Sequence, residues 1–175
     1  MKLRISLIVI SSLFVIIGLS IKINKNYRTY EITKKELGNI NNYIYNKGSS
    51  EYIFIIEIPK IGLKKGINDN NNVDKGIVLL DYKKYLIGDI IVASHSGNCD
   101  VCYFNRLDEL DINDEIYVYK DNIKYIYKIV YIIEKKKNTF KIDDSINTIT
   151  LITCKKNTDD IQLIIKGELL FENVY

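Results

Sequence analysis

The chain contains one histidine, His95, and three cysteines, Cys99, Cys102 and Cys154. A mechanism that needs two imidazoles is therefore excluded, and the residues best suited to covalent chemistry are the thiols. His95 follows the apolar run IIVAS and opens the small-residue stretch SGNCD, so it stands where a buried strand emerges into a loop with its ring accessible. Cys154 likewise ends the run TLIT and precedes the polar KKNTDD. A nucleophile and a base at the ends of rigid strands can be held in fixed relative geometry while a substrate arrives from solvent. A thiol is weakly ionised near neutrality, and an adjacent imidazole takes its proton or stabilises its thiolate. Spacing alone leaves two other readings open. Cys154 could be an inert strand-end cysteine beside a surface histidine. Alternatively, His95, Cys99, Cys102 and Cys154 could form a structural zinc site, since they supply one nitrogen and three sulfurs and Cys-x-x-Cys is a common half-site.

The elements that must position these residues are strands. YIFIIEI at 52–58, GIVLL at 76–80, LIGDIIVAS at 86–94, EIYVYK at 115–120, NIKYIYKIVYII at 122–133, TITLIT at 148–153 and IQLIIKGELLF at 161–171 are rich in Ile, Val and Tyr. Such runs, separated by Asn, Asp and Gly, predict an all-β sandwich or barrel. Asp121 and Asn122 predict a tight hairpin turn. Only YFNRLDEL at 103–110, with Phe104, Leu107 and Leu110 three apart, predicts one or two helical turns. NDNNNVD at 68–74 is a polar loop without the glycine and terminal glutamate of a calcium-binding EF-hand loop.

Composition bounds the class. The 175 residues carry 25 basic and 22 acidic side chains, a net charge of +3 too small and too evenly spread for a nucleic-acid-binding stripe. With 9 glycines and 1 proline, collagen-like and proline-rich architectures are excluded. From Ile5 to Ile21 no residue is charged, and Lys2, Arg4, Lys22, Lys25 and Arg28 flank the run. At about 1.5 Å per residue this run with its flanks just spans a hydrocarbon core, and no small-x-small cleavage site follows it, which predicts an uncleaved transmembrane helix. The flanking charges do not set its orientation. The expected organisation is a membrane anchor over 1–28, a stalk or docked helix over 29–51, and a β domain over 52–175.

IPKIGL at 58–63, ASHSG at 93–97 and LITC at 151–154, in that order and within β-rich sequence, resemble the sortases, the cysteine transpeptidases of Gram-positive cell surfaces. The resemblance covers essentially all of 52–175. It implies a closed eight-stranded β-barrel with short helices, Cys154 as nucleophile and His95 as its acid/base partner. The implied reaction is cleavage of an LPxTG-like sorting signal after its threonine, through a thioester resolved by a cell-wall precursor amine. The anchor would then leave the N-terminus cytoplasmic and the catalytic domain outside the cell. The resemblance requires no cofactor and leaves calcium activation open. In an oxidising wall environment Cys99 and Cys102 could form a disulfide that shapes the loop beside His95.

One departure from the family's pattern concerns the arginine that sortases place on the strand after the nucleophile. The only arginines here are Arg4, Arg28 and Arg106. The run leading to Gly167 puts Gln162 at the matching position, with Lys166 on the same face by strand alternation. Gln162 can donate from its amide but carries no charge. Either the Gln162 amide suffices, or Lys166, Lys155, Lys156 or Arg106 supplies the charge, or activity is impaired and the barrel only binds sorting peptides. The chain lacks the aspartate-proline-aromatic lid and the long helical insert of other classes, which points to a compact A-like or D-like form.

Overall fold

The β-branched and aromatic runs form eight strands in one sheet. They are β1 (Phe54–Ile58), β2 (Leu63–Ile67), β3 (Val78–Leu79), β4 (Asp89–Ala93), β5 (Glu115–Lys120), β6 (Ile123–Lys136), β7 (Thr148–Cys154) and β8 (Ile161–Val174). This computed structural model describes residues 2–45, 52–68, 72–141, 145–158 and 160–174. Within the first helix, side chains are described for 13–25, 27, 28, 31 and 34–41.

The strand order is β2-β1-β5-β6-β8-β7-β4-β3. Among the described residues, one parallel bridge, between Asn68 just past β2 and Val78 of β3, joins the two edges of the sheet. The expected closed barrel is therefore a nearly closed one. Every ladder between neighbouring strands in this order is antiparallel except β4 with β7, whose parallel register runs from Asp89 opposite Thr148 to Ala93 opposite Ile152. The first rung is fixed by side chains as well, because the Thr148 hydroxyl donates to the buried Asp89 carboxylate at 2.6 Å.

Residues of β7 are buried without a break from Thr148 to Thr153. Ile149 and Leu151 face the main core with Phe54, Ile116, Ile129, Leu163 and Ile165. Ile152 on the other face joins Ile91 and Ile164 beneath Ile133 and Phe140. Both faces being covered explains why this strand shows a continuous apolar run rather than alternation. Gly167 on β8 sits where the sheet leaves no room for a side chain. A Cβ there would stand 3.1 Å from Ile149 Cγ2, 3.3 Å from Tyr127 Cβ and 3.4 Å from the Lys128 carbonyl oxygen. Gly167→Val is expected to destabilise the barrel by about 1–3 kcal/mol by overpacking. A lower urea midpoint with an unchanged slope is the result that checks it.

Several boundaries differ from the sequence expectation. The run 76–80 contributes only Val78–Leu79, and the expected strand 86–94 begins at Asp89, because Tyr82–Leu86 forms a short helix, α2. Asp81 caps α2 by accepting from the Lys84 amide at 3.0 Å. The strand β2, LKKGI, escaped the hydrophobic pattern because its middle residues are lysines and a glycine. The Asp121–Asn122 hairpin forms as expected, both residues taking positive φ between Lys120 and Ile123. The turn expected at 103–110 is a 3₁₀ turn, Leu107–Glu109, with Phe104, Leu107 and Leu110 buried.

A helix, α1, runs Lys2–Tyr45, and the chain divides into units 1–38 and 39–175. In the first unit Leu13, Phe14, Val15 and Ile16 are exposed. Among the described residues no helix is long and apolar enough to cross a membrane. The expected transmembrane helix over 5–21 is therefore not shown, and its side chains before 13 lie outside the described residues. In the second unit Ile40 is buried against Ile55, Tyr52 and Tyr119.

Candidate active site

Cys154 is the last residue of β7, a half-buried free thiol at the end of the sheet's best-covered strand. The parallel neighbour β4 ends at Ala93, opposite Ile152, and delivers His95 two residues later at the same end of the barrel. Side chains around His95 tie its loop to β7. The Ser94 amide donates to the Ile152 carbonyl at 3.3 Å. The Thr153 hydroxyl donates to the Ser94 carbonyl at 2.8 Å, and the Ser96 hydroxyl donates to the Cys154 carbonyl. The His95 carbonyl itself accepts from the Phe104 amide at 3.1 Å. The imidazole engages Asp74, with Nε2 2.8 Å from Oδ1. Sequence spacing gave no hint of that carboxylate, because Asp74 belongs to a 3₁₀ turn, Val73–Lys75, inside what reads as a featureless polar loop.

Two cavities open onto Cys154. One, of about 550 Å³, is lined by Thr153, Leu163, Phe104, Leu107, Ile132 and Ile133, with Asp108 and Glu134 also reaching it. The other, of about 540 Å³, is bounded by Gly97 and by the polar side chains of Ser96, Asn98, Asn105 and Asn157. Lys155 and Lys156 border both.

Gln162 is directly opposite Cys154 in the β7–β8 ladder. Directly opposed residues carry their Cβ atoms about 4.5–5.5 Å apart on one face. Lys166 shares that face but lies four residues on, about 13 Å along the strand. Its ammonium donates to Ser145 at 2.5 Å, away from Cys154. Lys155 pairs with Glu134 at 2.6 Å, and Lys156 with Asp108 at 3.1 Å. Arg106 donates to the Ile61 carbonyl at 2.9 Å and forks onto Glu109. The hydrogen bonds from Arg106 hold the Glu109 carboxyl below its ordinary range. Arg106 thus ties the 107–109 turn to the segment before β2. Each cation weighed as a substitute for the missing arginine already has a partner.

Cys99 and Cys102 are joined in a disulfide with Cα atoms 5.1 Å apart. The loop around it is further held by Ser94 Oγ on the Val101 carbonyl and by Asn105 Oδ1, which accepts from the Gly97 amide at 3.2 Å. With both sulfurs committed to each other, the four-ligand zinc set loses two thiolates. Among the described residues no group of three or more His, Cys, Asp or Glu is placed to hold a metal ion.

Residues 56–170 match the family model of the Sortase domain. Solved structures with the same fold include sortase A of Listeria monocytogenes, 20% identical, with a TM-score of 0.64 and coverage of 72% of this chain and 92% of that one. Sortase C of Streptococcus pneumoniae is 20% identical, with a TM-score of 0.64 and 77% of each chain covered. A Clostridium perfringens sortase D5 transpeptidase is 22% identical, with a TM-score of 0.57 and coverage of 69% and 79%. No curated protein matches the sequence.

Proposed function

We infer that this chain, which belongs to the sortase family, is a membrane-anchored transpeptidase acting on sorting signals of the LPxTG type. The observation that carries the reading is the placement of Cys154 and His95 at one end of the adjacent parallel strands β4 and β7, with Cys154 open to two cavities of different character. The thiolate of Cys154 attacks the carbonyl after the signal's threonine. The carbon becomes tetrahedral, and the Gln162 amide, opposite the sulfur, donates to the oxygen that gains charge. His95 returns its proton to the leaving amine, and the acyl group stays on sulfur as a thioester. A cell-wall precursor amine then attacks the thioester, giving a new amide and the free thiol.

The apolar cavity suits the hydrophobic part of a sorting peptide, because it is walled by Leu107, Ile132 and Leu163. The polar cleft beside Ser96, Gly97 and Asn105 suits the incoming amine. Deployment of this chemistry at a wall requires an anchor. The uncharged run Ile5–Ile21, helical and with Leu13 to Ile17 exposed where described, supports one, and a wall-side reaction sets the N-terminus in the cytoplasm and the barrel outside. The absence from the sequence of a lid motif and of a long helical insert supports the compact A-like or D-like form.

The test is intact-mass spectrometry of the full detergent-solubilised chain incubated with LPxTG-like peptides and hydroxylamine. An acyl adduct on the protein and a peptide hydroxamate are expected. Consumption of peptide without either product would remove the thioester from the mechanism.

A further inference from the structure

We propose that Asp74 is a positioning residue for His95, holding the imidazole through Nε2 so that Nδ1 is the nitrogen that takes the Cys154 proton. This rests on the pairing of Cys154 with His95 inferred above. The backbone of the His95 loop is tied down on both sides of the residue, through Ser94 to Ile152 and Thr153, through Ser96 to Cys154, and through its own carbonyl to Phe104. Those bonds fix where the ring starts but not how it is turned. Its side chain is 39% exposed, and the contact that sets its rotation is the one with Asp74 Oδ1 at 2.8 Å.

The tautomer follows from the partner. An ionised carboxylate has no hydrogen to give, so Nε2 must carry the proton, and a neutral imidazole with its hydrogen on Nε2 keeps its lone pair on Nδ1. Asp74 is itself placed by local structure. Its amide donates to Asn72 Oδ1 at 2.9 Å, the Lys75 amide to the Asn72 carbonyl at 3.0 Å, and the Gly76 amide to the Val73 carbonyl at 3.3 Å. The carboxylate thus reaches the base from a third segment, separate from the strands that carry Cys154 and His95. In the step itself the S–H bond of Cys154 breaks and an N–H bond forms at Nδ1. The products are a thiolate and an imidazolium, and Asp74 keeps its charge opposite the imidazolium.

The experiment needs no peptide substrate. Cys154 is the free cysteine, so the rate at which iodoacetamide alkylates the oxidised full chain in detergent reports its thiolate. His95→Ala is expected to slow alkylation strongly. Asp74→Ala is expected to slow it about two- to five-fold, the range of an exposed charge pair, since Asp74 is 78% exposed. Asp74→Glu is expected to recover most of the loss. In the His95→Ala background Asp74→Ala should add nothing, because the carboxylate acts only through the ring. The thermal midpoint should not move, which separates positioning from a structural role. A wild-type rate in Asp74→Ala, or an equal loss with His95 already absent, overturns the role of Asp74 and leaves the Cys154–His95 pair standing. No effect of His95→Ala overturns the pair and the proposal with it.

Discussion

Cys154→Ala is expected to abolish formation of the acyl adduct and to lower transpeptidation by about four or more powers of ten, the scale on which removing a covalent nucleophile acts. The loss should fall on kcat, because no other described group can take over the sulfur's role. Ser96 is the nearest hydroxyl in the loop, but it is committed to the Cys154 carbonyl. The Cys99 and Cys102 sulfurs are bonded to each other. Stability should barely change. Cys154 is half-buried at a strand end, outside the residues that make up the core, and substitutions at such positions usually cost less than about 0.5 kcal/mol. A steady-state assay beside a thermal melt checks both halves. Residual turnover above about one per cent of wild type would place the acyl group elsewhere than on Cys154.

The second large effect is a gain. Gln162→Arg is expected to raise kcat about ten- to hundred-fold, and Gln162→Ala to lower it by about a factor of ten or more. Gln162 is the cross-strand partner of Cys154, so its amide is on the same face as the reacting sulfur. A neutral amide donates a hydrogen bond without charge, whereas guanidinium offers five donors and a fixed positive charge, and charge-assisted bonds are roughly twice as strong. The cations already at the site are neutralised by their own carboxylates, Lys155 by Glu134 and Lys156 by Asp108. A new arginine therefore supplies what the site lacks. Activity equal to wild type in both variants would mean that the tetrahedral oxygen is stabilised from another direction.

The legible part of this molecule was whatever local pattern dictates. Seven of the β runs could be found because Ile, Val and Tyr cluster in them, and the Asp121–Asn122 turn because those residues tolerate positive φ. The resemblance placed Gln162 at the position of the family's arginine, through the run that leads to Gly167, and the β7–β8 register then sets it opposite Cys154. Other features depend on tertiary context that a linear pattern does not carry. LKKGI is a strand because β1 offers it a ladder, not because its residues favour one. Lys166 has the right parity on β8, but parity says nothing about distance, and its ammonium goes to Ser145. Asp74 meets His95 across 21 residues of sequence, and only the fold brings the two together.

The single bridge between Asn68 and Val78 has a bearing on how this barrel breathes. Among the described residues the seam between β2 and β3 is secured by that one rung, and Asn68 Oδ1, buried beside it, has no hydrogen-bond partner among them. Sub-global opening begins where the fewest backbone hydrogen bonds must break, so amide exchange should start along this seam well before β6, β7 and β8 release their protons. Residues 72–77, which carry Asp74, lie between the two edges of the seam. An excursion that parts the seam would therefore uncouple the carboxylate from His95 while Cys154 stays on an intact strand. Slow hydrogen exchange and catalytic competence would in that case report on the same few backbone bonds.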